Sequence, residues 1–181
     1  MSVGAAVTSQ STQRRFAEVV LPHLDDAYGL ARWLTGNRSD AEDVVQDACM
    51  RALGSLDSGA IERPRAWVLS IVRNTAFSWL AKNRPNNVLL TDDAQFIETA
   101  AAKEPGAPNP EEALIAAADQ SALESAIEAL PHIFREVIVM RDINGLSYRE
   151  IAAATGAPVG TVMSRLSRAR ALLVDRLGSR T

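Results

Sequence analysis

Apolar residues recur along most of this chain at intervals of three and four, the period of an α-helix that buries one face. In SDAEDVVQDACMRAL, residues 39–53, Ala41, Val45, Ala48 and Ala52 form such a stripe, flanked by Val44 and Cys49. In RAWVLSIVRNTAFSWLAKNR, residues 65–84, Val68, Ile71, Val72, Thr75 and Trp79 form another, and near the C-terminus Val162, Leu166, Ala169 and Leu173 form a third. Alternating β-branched runs joined by hairpin signals are missing, so the pattern predicts an all-α fold. The period breaks between Arg84 and Glu111, where Pro85, Pro105, Pro108 and Pro110 accompany Gly106. This break reads as a flexible linker, 85–110, joining two small helical domains, 14–84 and 111–181, behind a disordered N-terminal tail, 1–13.

Turn chemistry places the helix ends. Ser147-Tyr148-Arg149-Glu150 has the S-x-x-E form of a capping box, Gly156 fits the left-handed residue that ends a helix, and Pro158 suits a first turn. Two helices joined by such a tight turn make a helix-turn-helix. Ser39-Asp40-Ala41-Glu42, after Thr35-Gly36-Asn37, predicts a second capping box, and Pro64 a further helix start.

Composition narrows the function. The 181 residues include one cysteine and two distant histidines, His23 and His132, with no CxxC or HExxH spacing, so a disulfide, a metal site and a bound cofactor are not expected. Cys49 sits beside an apolar stripe and reads as a small core residue rather than a reactive thiol. No apolar run approaches the ~20 residues that cross a bilayer, and MSVGAAVTSQSTQRR lacks the apolar core of a signal peptide. A cytoplasmic protein without membrane insertion is the expectation. No glycine-rich phosphate loop, catalytic triad or metal set stands beside the acids, which argues against an enzyme.

The formal net charge of −3 conceals a sorting by segment. From Asp25 to Asp47 six acids face Arg32 and Arg38, whereas Arg63 to Arg84 holds five bases and no acid. From Asp92 to Glu128 nine acids face Lys103, whereas Arg141 to Thr181 holds seven arginines against three acids. Two basic blocks of this kind suit a polyanion, although a solvated mixed-charge surface gives the same counts.

Three helical faces then carry candidate chemistry. On the helix over 39–53, Asp43, Gln46, Asp47 and Met50 lie opposite the buried stripe, as a solvated face would, or as a docking surface for a basic helical partner would. On the helix over 65–84, Ser70, Arg73, Asn74 and Phe77 form a second stripe with Trp67 near its edge. Charge for phosphate and ring faces for unstacked bases is the combination that holds single-stranded DNA, while each ring alone would also serve a core. On the last helix Thr161, Ser164, Arg165 and Arg168 share a face directed away from the apolar stripe, which suits phosphate and base-edge contacts in a major groove.

In combination, RWLTGNRSDAEDVVQDACMRAL, RAWVLSIVRNTAFSWL, an acidic linker and ALPHIFREVIVMRDINGLSYREIAAATGAPVGTVMSRLSRARALL resemble a bacterial RNA polymerase sigma factor of the extracytoplasmic-function (ECF) group, over roughly residues 14–84 and 111–177. The resemblance implies sigma region 2 in the first domain and sigma region 4 in the second. It implies that Asp43, Gln46, Asp47 and Met50 dock on the β′ clamp of core RNA polymerase, with the β flap as a further contact. The loop from Leu56 to Arg65 resembles one that captures a flipped base of the minus-10 element. Asp57, Ser58, Ile61, Arg65, Trp67, Ser70, Arg73, Asn74 and Phe77 then belong to minus-10 recognition and melting. Thr161, Ser164, Arg165 and Arg168 fall where the family reads minus-35 duplex DNA, with Arg149 at a phosphate. Promoter DNA and a cognate anti-sigma factor are the remaining implied partners. Pro158 departs from a capping serine found in many relatives. A stand-alone helix-turn-helix regulator and a sigma-like decoy that binds an anti-sigma factor remain as alternatives.

Overall fold

The computed structural model describes residues 3–84 and 120–178, and the chain divides into two compact units with the break after Arg84. The expected linker, 85–110, lies outside the described residues. Among the described residues every regular element is helical.

The first unit holds α1 (Val3–Val19), a 3-10 turn (Leu21–His23), α2 (Leu24–Thr35), α3 (Arg38–Ser55), a second 3-10 turn (Leu56–Ser58) and α4 (Pro64–Asn83). Helix α1 includes residues 3–13, for which the sequence predicts a disordered tail. Residues 5–21 hold neither glycine nor proline, and an Arg14–Glu18 pair at 3.0 Å spans one exposed turn, a spacing that supports a helix. Pro22 then tightens the chain into the first 3-10 turn.

Helices α2, α3 and α4 pack against one another. Leu30 and Leu34 from α2, Ala41 and Val44 from α3, and Leu69, Val72, Ala76 and Leu80 from α4 are all buried. Two expected stripes shift. The buried line on α3 is Ala41, Val44, Ala48 and Ala52, with Val45 and Cys49 half-buried. On α4 Leu69, Ala76 and Leu80 join the buried set while Ile71 and Trp79 are only half-buried, because this helix is covered from two sides, by α2 and by α3. Burial pushes the Cys49 thiol up, which lowers its thiolate fraction and agrees with a packing role. The buried hydroxyls of Thr35 and Thr75 donate to the Ala31 and Ile71 carbonyls at 2.9 and 2.8 Å, so neither enters the core unsatisfied.

The start of α3 also differs from expectation. Asn37, not Ser39, is the N-cap, and its side chain accepts from the Asp40 amide at 2.9 Å. Gly36, at φ 82°, ends α2 in the left-handed region and turns the chain directly into this cap. Asp40 is thereby placed to receive Arg84 at 2.8 Å, while the same guanidinium donates to the Thr35 carbonyl at 3.0 Å. The far end of α4 is thus tied to the α2–α3 corner.

The second unit holds α5 (Gln120–Glu128), α6 (His132–Ile138), a π-helical turn (Val139–Ile143), α7 (Tyr148–Thr155) and α8 (Val159–Gly178). Arg135 is buried and donates to the carbonyls of Glu128 and Leu130, closing the end of α5, and burial pulls its guanidinium pKa down. The capping box at Ser147 and Glu150 forms as expected: the Glu150 amide donates to Ser147 Oγ at 3.3 Å and the Ser147 amide donates to Glu150 Oε2 at 2.8 Å. Gly156, at φ 71°, ends α7 and α8 follows within three residues. Pro158 stands just ahead of α8 rather than in its first turn, and its carbonyl accepts the first helical bond, from Val162, at 3.0 Å.

Loss of the Asn37 cap should lower the stability of the first unit by about 1 kcal/mol. The three tryptophans, Trp33, Trp67 and Trp79, all lie in that unit, so a urea titration of Asn37→Ala followed by tryptophan fluorescence reads this loss directly; an unchanged midpoint would refute the cap.

Candidate functional site

Helix α3 presents Asp43, Gln46, Asp47 and Met50 on its exposed side, at spacings of three, one and three residues that keep them on one face. Met50 is 65% exposed, and Leu53, one turn further on, is also exposed. Leu53 was missed in the sequence because it is apolar and adjoins Ala52 of the buried stripe; only the direction of packing reveals its exposure. Asp47 is paired with Arg51 at 3.3 Å across an exposed turn, a contact of small energetic weight. The face is therefore a pair of apolar side chains bordered by carboxylates, the composition of a surface that receives a basic, partly apolar partner.

Helix α4 carries the second face. Trp67, Ser70, Arg73 and Phe77 are half-buried and Asn74 is exposed. None of the rings of Trp67, Phe77 and Trp79 is buried, so none of them is spent wholly on the core. The Arg73 guanidinium lies 4.3 Å from the centre of the Phe77 ring and donates to Asn74 Oδ1 at 3.1 Å. Ring and cation are thus ordered beside each other, a cation–π arrangement that leaves the charge next to an aromatic surface. Ser70 Oγ donates to the Trp67 carbonyl at 2.7 Å within the helix.

The loop ahead of α4 starts at Leu56, which is fully buried, and passes Asp57, exposed, and Ile61, half-buried. The backbone of Ser58 ends the 3-10 turn. Arg65, in the first turn of α4, donates from Nε to Asp26 of α2 at 2.7 Å. It fastens the first turn of α4 to α2.

In the second unit Val162, Leu166, Ala169 and Leu173 are buried as expected. Thr161 and Arg168 are half-buried, Ser164 is exposed, and Arg149 is exposed on α7. The expectation that the arginines of α8 point away from the core fails for Arg165. Its guanidinium stands 3.8 Å from the carboxylate of Glu136, which is fully buried on α6, and its side chain is only 15% exposed. Arg170 likewise pairs with Asp142, at 2.8 and 3.3 Å. The outward face of α8 instead includes Val159, Gly160, Met163 and Ser167 beside Ser164. These small and apolar residues carry no charge signal, which is why the sequence pattern passed over them. Among the described residues no cluster of three His, Cys, Asp or Glu is placed to hold a metal ion, and no helix is long and apolar enough to cross a membrane.

Two families match the chain: Sigma-70 region 2 over residues 19–85 and Sigma-70, region 4, over residues 120–173. The chain is 32% identical over 175 residues to the ECF RNA polymerase sigma factor SigW of Bacillus subtilis, covering 91% of this chain and 90% of that one. It is 32% identical over 172 residues to the ECF RNA polymerase sigma factor SigE of Mycolicibacterium smegmatis, covering 95% of this chain but 65% of that relative. Among solved structures it is similar to the sigma factor RpoE of Bartonella quintana, crystallised in complex with the anti-sigma factor NepR, with a TM-score of 0.67, 30% identity and coverage of 90% of this chain and 96% of that one.

Removing the guanidinium of Arg165 should destabilise the second unit by roughly 3 kcal/mol, because the buried carboxylate of Glu136 would lose a neighbouring cation. Ser164→Ala should change stability by less than about 0.5 kcal/mol. Chemical denaturation followed by far-ultraviolet circular dichroism separates the two, and equal stabilities would restore Arg165 to the surface.

Proposed function

This chain belongs to the ECF RNA polymerase sigma factors, and on that premise we propose which of its faces serves each part of transcription initiation. The α3 face, Asp43, Gln46, Asp47 and Met50 with Leu53 added, binds the β′ clamp of core RNA polymerase. Its acids complement a basic helix, and its two exposed apolar side chains supply the desolvated centre that such a contact needs.

The loop from Asp57 through Ile61 and the α4 face of Trp67, Ser70, Arg73, Asn74 and Phe77 take the minus-10 element as it opens. Extruding a base costs a few kcal/mol of stacking and pairing, which a pocket and aromatic contacts offset. Rings that remain half-exposed in the free protein are available for this, and Arg73, already stacked on Phe77, places a cation where an unpaired strand would run. Arg65 supports this site through Asp26 and is assigned no base contact.

Helix α8 enters the major groove of the minus-35 element. Thr161, Ser164 and Arg168, together with Met163 and Ser167, form the reading face, and Arg149 of α7 contacts phosphate. Apolar side chains such as Met163 suit thymine methyl groups, whereas hydroxyls and guanidinium suit phosphates and base edges. Arg165 orients α8 through Glu136. The units are assigned as region 2, residues 14–84, extended by α1, and region 4, residues 111–181, joined through 85–110. The protein is a non-enzymatic, cytoplasmic specificity subunit, and a cognate anti-sigma factor holds it inactive. Support for that partner comes from the solved relative crystallised with its own anti-sigma factor.

The observation that carries this assignment is the persistence of an exposed, acid-bordered Met50–Leu53 face on α3 in the same unit as the half-exposed rings of α4. A stand-alone helix-turn-helix regulator has no use for either. Run-off transcription with purified core polymerase on a library of upstream regions should give promoter-specific transcripts, and Asp47→Arg should reduce them about tenfold or more through charge reversal at the clamp contact, with circular dichroism unchanged. Sequence-specific duplex binding without polymerase, and transcription indifferent to Asp47→Arg, would sink the proposal.

A further inference from the structure

Helix α1 has no part in the faces assigned above, yet it reaches one of them. Arg15 Nη2 donates to the carbonyl of Gly59 at 2.5 Å, across 44 residues of sequence. Gly59 sits at φ 150°, ψ −171°, a backbone region that residues with a side chain rarely adopt. A Cβ added there would meet nothing within 4 Å, so glycine is required at this position for its backbone and not for space. The loop thus holds an unusual conformation at its midpoint, two residues after exposed Asp57 and two before half-buried Ile61.

Both ends of this contact are anchored. Leu56, fully buried, fixes the start of the loop. At the end of α1, Val20 is 1% exposed, packs with Leu24, Ala48 and Val72 around a small apolar cavity, and donates its amide to Phe16 at 2.8 Å. Arg15 lies five residues before Val20, a helical rise of about 7.5 Å, so its starting point is set by a packed helix. A charged donor to a carbonyl forms a stronger bond than a neutral one. Recognition groups on loops are placed less accurately than groups on helices unless a neighbouring element braces them. Arg15 is such a brace.

We propose that Arg15 is a positioning residue for minus-10 recognition: by holding the Gly59 carbonyl from α1, it fixes the loop shape that decides which base is accepted between Asp57 and Ile61. This rests on the reading of that loop as the base-selecting element. The N-terminal helix thereby becomes part of promoter specificity without touching DNA.

The test is run-off transcription by full-length protein with core polymerase on templates carrying all four bases at each minus-10 position, using Arg15→Ala, Arg15→Lys, Asp57→Ala and Ile61→Ala. Arg15→Ala should flatten the preference at one minus-10 position by about fivefold, the scale of one lost hydrogen bond, while affinity for core polymerase stays at the wild-type value. Arg15→Lys, which keeps a charged donor, should recover part of the preference. Equal loss of transcript on every template would mark Arg15 as merely stabilising and overturn the proposal. An unchanged preference in Arg15→Ala, with a changed one in Asp57→Ala or Ile61→Ala, would overturn the role of Arg15 and leave the loop reading standing. No change in any of these variants would overturn both.

Discussion

The seating of α4 between α2 and α3 is the contact on which the first unit depends. Val68, Leu69, Val72, Ala76 and Leu80 are buried there, and a helix covered from two sides has only a narrow strip of surface left. That strip carries Ser70, Arg73, Asn74 and Phe77, and its width explains why the rings are neither core nor fully exposed. Packing that holds α4 rigid also fixes the spacing between its aromatic edge and the loop that begins at Leu56. For a surface proposed to receive an unstacked base, this order before binding reduces the entropy lost on association.

Charge serves two ends in this molecule. Arg65 with Asp26, Arg84 with Asp40, and Arg170 with Asp142 are ion pairs that join different elements within a unit, and Arg165 faces the buried carboxylate of Glu136. The partly exposed pairs are modest in energy and act chiefly by geometry, since each fixes the end or the rotation of a helix. The Glu136–Arg165 pair differs because the Glu136 carboxylate is fully buried, where a charge depends on the groups packed around it far more than at the surface. Part of the basic surplus in each unit is therefore consumed internally. The surplus that meets a polyanion is smaller than a count of arginines along the chain implies.

The apolar period, the Ser147–Glu150 capping box, the left-handed glycine at 156 and the four buried residues of α8 were legible from the chain, because each depends on neighbours within a turn or two. The candidate faces on α3 and α4 were legible for the same reason, since residues three and four apart share a side of a helix whatever it packs against. Less legible was the start of α3, where Asn37 and Ser39 both offer a capping side chain and the Arg84–Asp40 contact favours the arrangement with Asn37 as cap.

What the sequence by itself determined was the all-α fold, the helix-turn-helix and the family, through local periodicity and through motifs in a given order. Only the tertiary structure decided which arginines face outward, that α1 is a helix tied to Gly59, and that Leu53 and Met163 are exposed. The physical reason is that a guanidinium on a long, flexible stem takes its direction from whichever carboxylate or carbonyl packing brings within reach. Glu136 is 29 residues from Arg165, and Gly59 is 44 residues from Arg15; no period along the chain encodes either meeting.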